Sequence, residues 1–324
     1  MIKIRNIHQL NTYFKLYYIL FFVMFISCRH SIHDDYKIAK DKIEAEEWEN
    51  AIALLTQIID KDSSLHEAFQ SRGMCYFNTN DYESAINDFN AAYALNKNYK
   101  LQYNLGVLSI KNEKYSNAIN YFEEYENFDS TNPDVWVQKA LCYNTLKDFQ
   151  SALFYYEKAV DSFPDSIALI KNMGVCHFQL SNYNSAINLL NSYVDTVIND
   201  KSSFEMMAYS YYQLGMYEKA NKYYNHLIDL GLELDEVTQR IFSKNLLLLG
   251  LKQKNKQNFM AALQTFSQVI TLEPLEKKAF YYRGLVYLQF ERKTEACEDF
   301  NQAFLNGSKE ANSMMKLHCK EFFD

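Results

Sequence analysis

Residues Pro133 to Pro164 read PDVWVQKALCYNTLKDFQSALFYYEKAVDSFP, and the reading of the whole chain follows from this stretch. Its bulky and small apolar residues fall at Trp136, Ala140 and Tyr143, then at Phe149, Ala152, Tyr156 and Ala159, a helical period on each side of a short break. Pro133 suits the first position of a helix, and Pro164 follows the end of one. The stretch is therefore a helix pair. Working outward from Ala152, alanines stand in step at Ala51, Ala85, Ala118, Ala186, Ala220, Ala262 and Ala296, with successive spacings of 34, 33, 34, 34, 34, 42 and 34 residues. Three residues before them lie Trp48, Tyr82, Tyr115, Phe149, Tyr183, Tyr217 and Phe259, and then Lys293. Four residues after them lie Leu55, Phe89, Phe122, Tyr156, Leu190, Tyr224, Phe266 and Phe300. Twelve residues before them, all eight positions (Ala39, Gly73, Gly106, Ala140, Gly174, Ala208, Gly250, Gly284) carry Gly or Ala.

Eight matches in phase resemble the tetratricopeptide repeat. The second unit shows the same signature as Phe69, Gly73, Tyr76, Tyr82, Ala85, Phe89 and Ala92. The resemblance implies an all-α tetratricopeptide (TPR) α-solenoid, a right-handed superhelix of about eight helix-turn-helix repeats closed by a C-terminal capping helix. The pattern has a physical cause. Small residues let two helix backbones approach where they cross, and aromatics fill the gaps beside the crossing and against the next repeat. This accounts for 26 Tyr and 23 Phe, and the 8 Gly and 3 Pro all fall at small positions, turns or repeat borders. Eight repeats over residues 32–310 are expected to start near 32, 66, 99, 133, 167, 201, 243 and 277. Eight extra residues, Asp235 to Phe242, break the period, and Asp235 reads as an N-cap for a lengthened first helix in the seventh repeat. Residues 311–324 read as the capping helix that a solenoid end needs.

The first 27 residues read as a signal peptide: Lys3, Arg5 and Lys15 precede an apolar run from Leu16 to Ile26 that is short for a membrane span. Its end, Phe25-Ile26-Ser27-Cys28, resembles a bacterial lipoprotein processing box, which implies lipidation of Cys28, a tether over residues 28–34, and a likeness to Bacteroidetes-like TPR lipoproteins. The alternative is an ordinary signal peptide with an incidental cysteine. The expected location is thus outside the cytoplasm, on a membrane, with the outer membrane facing the periplasm as the first choice. Loss of the leader takes the net charge from −7 to −10, because it carries three basic residues and no acidic one. Such an acidic chain is a poor match to nucleic acid.

Cys75, Cys142 and Cys176 share one place in their repeats, which reads as a buried core thiol; neighbours would stand about 10 Å apart, beyond disulfide reach. Cys297 and Cys319 sit on the last repeat helix and on the capping helix that should pack against it. Their segment also looks like the ending of many secreted bacterial repeat proteins. A disulfide between them is expected, with two separate buried thiols as the alternative. His66, His177 and His226 are scattered without ligand spacing, and no metal site or cofactor is expected.

No phosphate loop, nucleophile elbow or H-E-x-x-H motif is present, so the expected role is binding rather than catalysis. The resemblance implies a groove lined by the first helix of each pair. That face carries Lys37, Lys40, Lys100, Lys111, Lys171, Lys244, Lys254 and Lys278 against Glu44, Glu67, Asp134 and Glu205, while the rest of the chain is acidic. A neutral or acidic protein or peptide segment is the expected partner, and no small-molecule substrate is evident. Tyr103, Asn104 and Gln138 are candidate contacts, followed by Lys171, Asn172, Tyr209, Tyr212 and Tyr281. The carboxylate clamp of TPR co-chaperones is not matched, since Val175 stands where an Asn should follow Lys171. The leading expectation is an envelope scaffold or adaptor. The alternatives are a regulatory or glycan-associated binding protein of the same compartment, and an enzyme with a groove-built site.

Overall fold

The structure, a computed structural model, describes residues 32–197 and 199–320. Among them the chain is all α, with no strand, and no helix is long and apolar enough to cross a membrane. The leader, Cys28 and the first part of the tether lie outside the described residues. Residue contacts form two compact units, one up to Ala159 and the other from Val160 onward.

The first unit runs α1 (32–44), α2 (Trp48–Lys61), α3 (His66–Asn78), α4 (Tyr82–Leu95), α5 (Lys100–Lys111), α6 (Tyr115–Glu126), α7 (Pro133–Thr145) and α8 (Phe149–Val160, its last residue in the second unit). From α2 to α7 each helix packs on the next, α3 on α4 and α5 on α6 most extensively. The second unit holds α9 (Ile167–Gln179), α10 (Tyr183–Val194), α11 (Lys201–Gln213), α12 (Tyr217–Asp229) and α13 (Glu236–Asn255). It continues with α14 (Phe259–Leu272), α15 (Lys277–Gln289), α16 (Lys293–Leu305) and α17 (Lys309–His318). The architecture is an all-α solenoid of helix pairs.

The periodic small residues sit where the two helices of a pair cross. All eight alanines from Ala51 to Ala296 are fully buried. The fit is tightest at the glycines. A Cβ built on Gly106 would stand 2.4 Å from Phe122 of the facing helix, and one on Gly250 would stand 2.6 Å from Phe266. At Gly174 the facing residue is Leu190, and the separation is 3.0 Å. Small and large residues 16 apart in sequence are thus complementary halves of one contact.

The turn inside each pair has one recurring backbone form. Glu46, Asn80, Glu113, Lys147, Ser181, Gly215, Gln257 and Glu291 all have φ between 56° and 70°. Each stands five residues before one of the eight alanines. The residue after each donates its N–H back across the helix end, as Asp81 does to Tyr76 and Asp148 to Tyr143, both at 2.9 Å. This is a Schellman close, which satisfies carbonyls left open by the helix end. Only one of the eight uses glycine.

Charged residues lock two pairs to their predecessors. Arg72 grips Asp88 with two hydrogen bonds of 2.8 Å and reaches Thr56 Oγ1 of the preceding repeat at 3.0 Å. Arg283 repeats the arrangement on Asp299, with Ser267 Oγ at 3.0 Å. In the fourth pair, Lys139 is buried and donates to Glu126 at 2.7 Å, its ammonium 4.3 Å from the Tyr155 ring centre. Buried charges demand such partners.

The inserted residues open α13, which is 20 residues long against 12 or 13 for α3, α5, α7, α9, α11 and α15. Asp235 caps it by accepting from the Thr238 N–H at 2.7 Å. At the far end α17 packs on α16, and Cys297 and Cys319 are joined as a disulfide. Cys75, Cys142 and Cys176 are buried outside any disulfide, and burial pushes each thiol up to about 11.

Candidate functional site

All eight candidate contacts lie on first helices and are half-buried, so each combines a fixed base with an accessible edge. In the first unit, Tyr103 on α5 is wedged against Phe122 and Tyr125, both with ring centres 5.9 Å away. Burial raises its phenol above the usual value. Asn104 follows it, and Gln138 occupies α7 one residue before the buried Lys139.

In the second unit, Lys171 on α9 is not an open cation. Asp200 holds it at 2.6 Å, and the ammonium stands 5.3 Å from the Tyr193 ring centre. Burial pushes the Asp200 carboxyl up, but hydrogen bonds from Lys171, Ser202 and Ser203 outweigh this and hold it well below the ordinary carboxylate range. Lys171 and Asp200 tie α9 to the start of α11. Asn172 follows Lys171 on the same helix.

Tyr209 and Tyr212 on α11 belong to an aromatic cluster. Phe178, Tyr183 and Tyr209 meet one another edge to face at 5.6–6.2 Å, and Tyr212 stands 6.1 Å from Tyr209. Burial raises the Tyr212 phenol. Beside this cluster, α9, α11, α12 and α13 enclose a cleft of about 340 Å³. Phe178, Tyr209, Tyr224, Met206 and Ile241 supply its apolar wall, and Ser202, Glu205 and Thr238 its polar groups. The cleft depends on the insertion, which contributes Thr238 and Ile241. Of these residues, the sequence reading singles out Tyr209 as a contact and Glu205 only as one of four acids on the face. Tyr281 on α15 lies apart from the cleft, against Tyr282 and Phe300.

A second hollow of about 610 Å³ lies between Lys254 of α13, Phe259 of α14, Leu285 and Leu288 of α15, and Met314 and His318 of α17. No group of three or more His, Cys, Asp or Glu among the described residues could hold a metal ion.

Comparison with known proteins gives a consistent picture. Models of the tetratricopeptide repeat match residues 66–99, 99–132 and 247–311, and the model of the anaphase-promoting complex, cyclosome, subunit 3, matches residues 145–227. The BBSome complex member BBS4 homolog of Drosophila melanogaster is 25% identical over 112 residues, which is 34% of this chain and 23% of that protein. BBSome complex member BBS4 of Bos taurus is 29% identical over 89 residues, 27% of this chain and 17% of that one. The chain thus spans less than a quarter of the length of these curated relatives. Among solved structures, the C-terminal part of a TPR repeat-containing protein from Cytophaga hutchinsonii aligns with a TM-score of 0.50 at 17% identity, over 76% of this chain and 98% of that one. A tetratricopeptide repeat protein from Parabacteroides merdae aligns with a TM-score of 0.47 at 18% identity, over 78% and 98% respectively. The likeness to the Cytophaga protein is one of fold.

Proposed function

The chain is a tetratricopeptide-repeat protein, and on that premise we propose that it is a non-enzymatic scaffold that captures a protein or peptide segment on the face of its first helices. One observation carries the reading. The first helices present half-buried amide side chains and tyrosines held ring against ring, and α9, α11 and α13 line an aromatic-walled cleft with α12. Rigid tyrosines with one free edge offer apolar area and a hydroxyl at little entropic cost. Seven of the eight lysines on this face, all but Lys171, make no ion pair among the described residues, which suits a segment that is neutral or acidic over most of its length.

The proposal extends to place. The basic leader, the apolar run and Cys28 support export and a lipid anchor at a bacterial envelope, and a disulfide at the cap suits an oxidising compartment. Substitution of Cys28 by Ser should release the protein from the membrane fraction; full retention would remove the anchor from the proposal. For capture itself, a crosslinking pull-down from native membranes is the decisive test. Tyr209→Ala with Tyr212→Ala should lose the partner that the parent chain retains, and undiminished recovery would count against the first-helix face.

A further inference from the structure

The cleft between α9, α11 and α13 holds a carboxylate with one oxygen that no donor reaches. Glu205 Oε1 is buried and accepts no hydrogen bond. Lys201 forms an ion pair with it at 3.6 Å but gives its hydrogen bond to the Glu233 carbonyl oxygen. Asp235 adds a second negative charge to the neighbourhood, and burial raises the Glu205 carboxyl above its ordinary value. A buried acceptor without a donor is destabilising, and an arriving N–H group relieves that cost. The remaining wall is aromatic: Phe178 and Tyr209 meet edge to face at 5.6 Å beside the carboxylate's helix, with Met206 next to Glu205 in sequence.

An apolar occupant would bury the carboxylate further without a donor, and an anion would be set against Glu205. A cation with an aliphatic stem satisfies every wall at once: stem on Met206 and Ile241, charge over the rings, N–H on Glu205. At about 340 Å³ the space lies at the small end of ligand-binding clefts, suited to one side chain rather than a folded surface.

We propose that this cleft is the anchor pocket for a single basic side chain, arginine or lysine, carried by the protein partner. The proposal rests on the capture reading above and deepens it: the segment is neutral or acidic along most of its length but is fixed in register by one cation.

The test uses the whole chain with 13C-labelled methionine methyl groups, titrated with Nα-acetyl-arginine amide, Nα-acetyl-lysine amide and the neutral isostere Nα-acetyl-citrulline amide. The Met206 methyl resonance should shift saturably with the cationic probes, and citrulline should bind about five- to tenfold more weakly. Glu205→Gln, checked for an unchanged thermal transition, should reduce arginine to the citrulline level. Equal affinities for arginine and citrulline, or a Met206 signal that none of the probes moves, would overturn the assignment. The same variant in the membrane pull-down separates the two readings. If Glu205→Gln keeps the partner while the Tyr209 and Tyr212 substitutions lose it, the cation pocket falls and capture stands. If neither loses the partner, capture falls too.

Discussion

Gly106 shows what a single atom costs in this architecture. A methyl group there would overlap Phe122, and neither helix can retreat without disturbing the neighbouring repeats. Gly106→Ala should destabilise the chain by about 1–3 kcal/mol, read as a lower urea midpoint. Adding Phe122→Leu should return part of the loss, because Gly174 already faces Leu190 with a wider separation. A neutral Gly106→Ala would refute the steric account. Asp200 gives the electrostatic counterpart. Its carboxyl titrates lower in the folded chain than in the unfolded one, so its contribution is in place above the unfolded value of about 3.9 and drains away as the solution is acidified below it. Asp200→Asn should cost about 1–2 kcal/mol at neutral pH. Between about pH 4 and pH 2 the parent should lose more stability than the variant, and parallel acid profiles would remove Asp200 from the account.

At the level of helices and turns, the left-handed residue is the shared device. Gly215 has open space where a side chain would go, so Gly215→Ala isolates the backbone penalty. The loss should be about 1 kcal/mol in chemical denaturation, and a loss several times larger would mean that the site has hidden packing. The disulfide makes a separate claim on α17. Reduction should raise amide exchange in α17 and the end of α16 while α9 to α12 keep their protection; unchanged exchange in α17 would show that packing alone holds the cap. The contrast between these features explains what could be read in advance. The Ala, Gly and aromatic positions are legible because sterics admit few residue types there. The turn residues are not, apart from Gly215: their hydrogen-bonded close tolerates Glu, Asn, Lys, Ser or Gln, so the strain leaves no residue signature. Asp235 announces a cap by its chemistry. The cleft is legible only in its parts, since Tyr209 reads as a contact but the walls around Glu205 come from helices far apart in sequence and from the inserted residues. Lys171 reads as a free groove cation, and nothing local to it reveals Asp200.

Within each unit, repeats lean on their immediate neighbours, so loss of structure need not be all-or-none. The two tryptophans, Trp48 and Trp136, stand at different depths in the array, the latter with the Lys158 ammonium 4.4 Å from its ring centre. Single-tryptophan variants made by Trp48→Phe and Trp136→Phe should therefore give unequal urea midpoints, Trp48 responding first. Coincident curves would argue for one cooperative block. The arginine forks bear on how such a chain changes through descent. Arg72 addresses a hydroxyl that belongs to the helix pair before it, and Arg283 does the same. A pair that carries this fork keeps its third contact after duplication or movement along the gene only where its new predecessor brings Thr or Ser to the matching place. Otherwise one guanidinium nitrogen loses its acceptor in the neighbouring pair. The second and eighth pairs are therefore tied by this contact to their predecessors, while pairs without the fork are free of this one constraint on rearrangement.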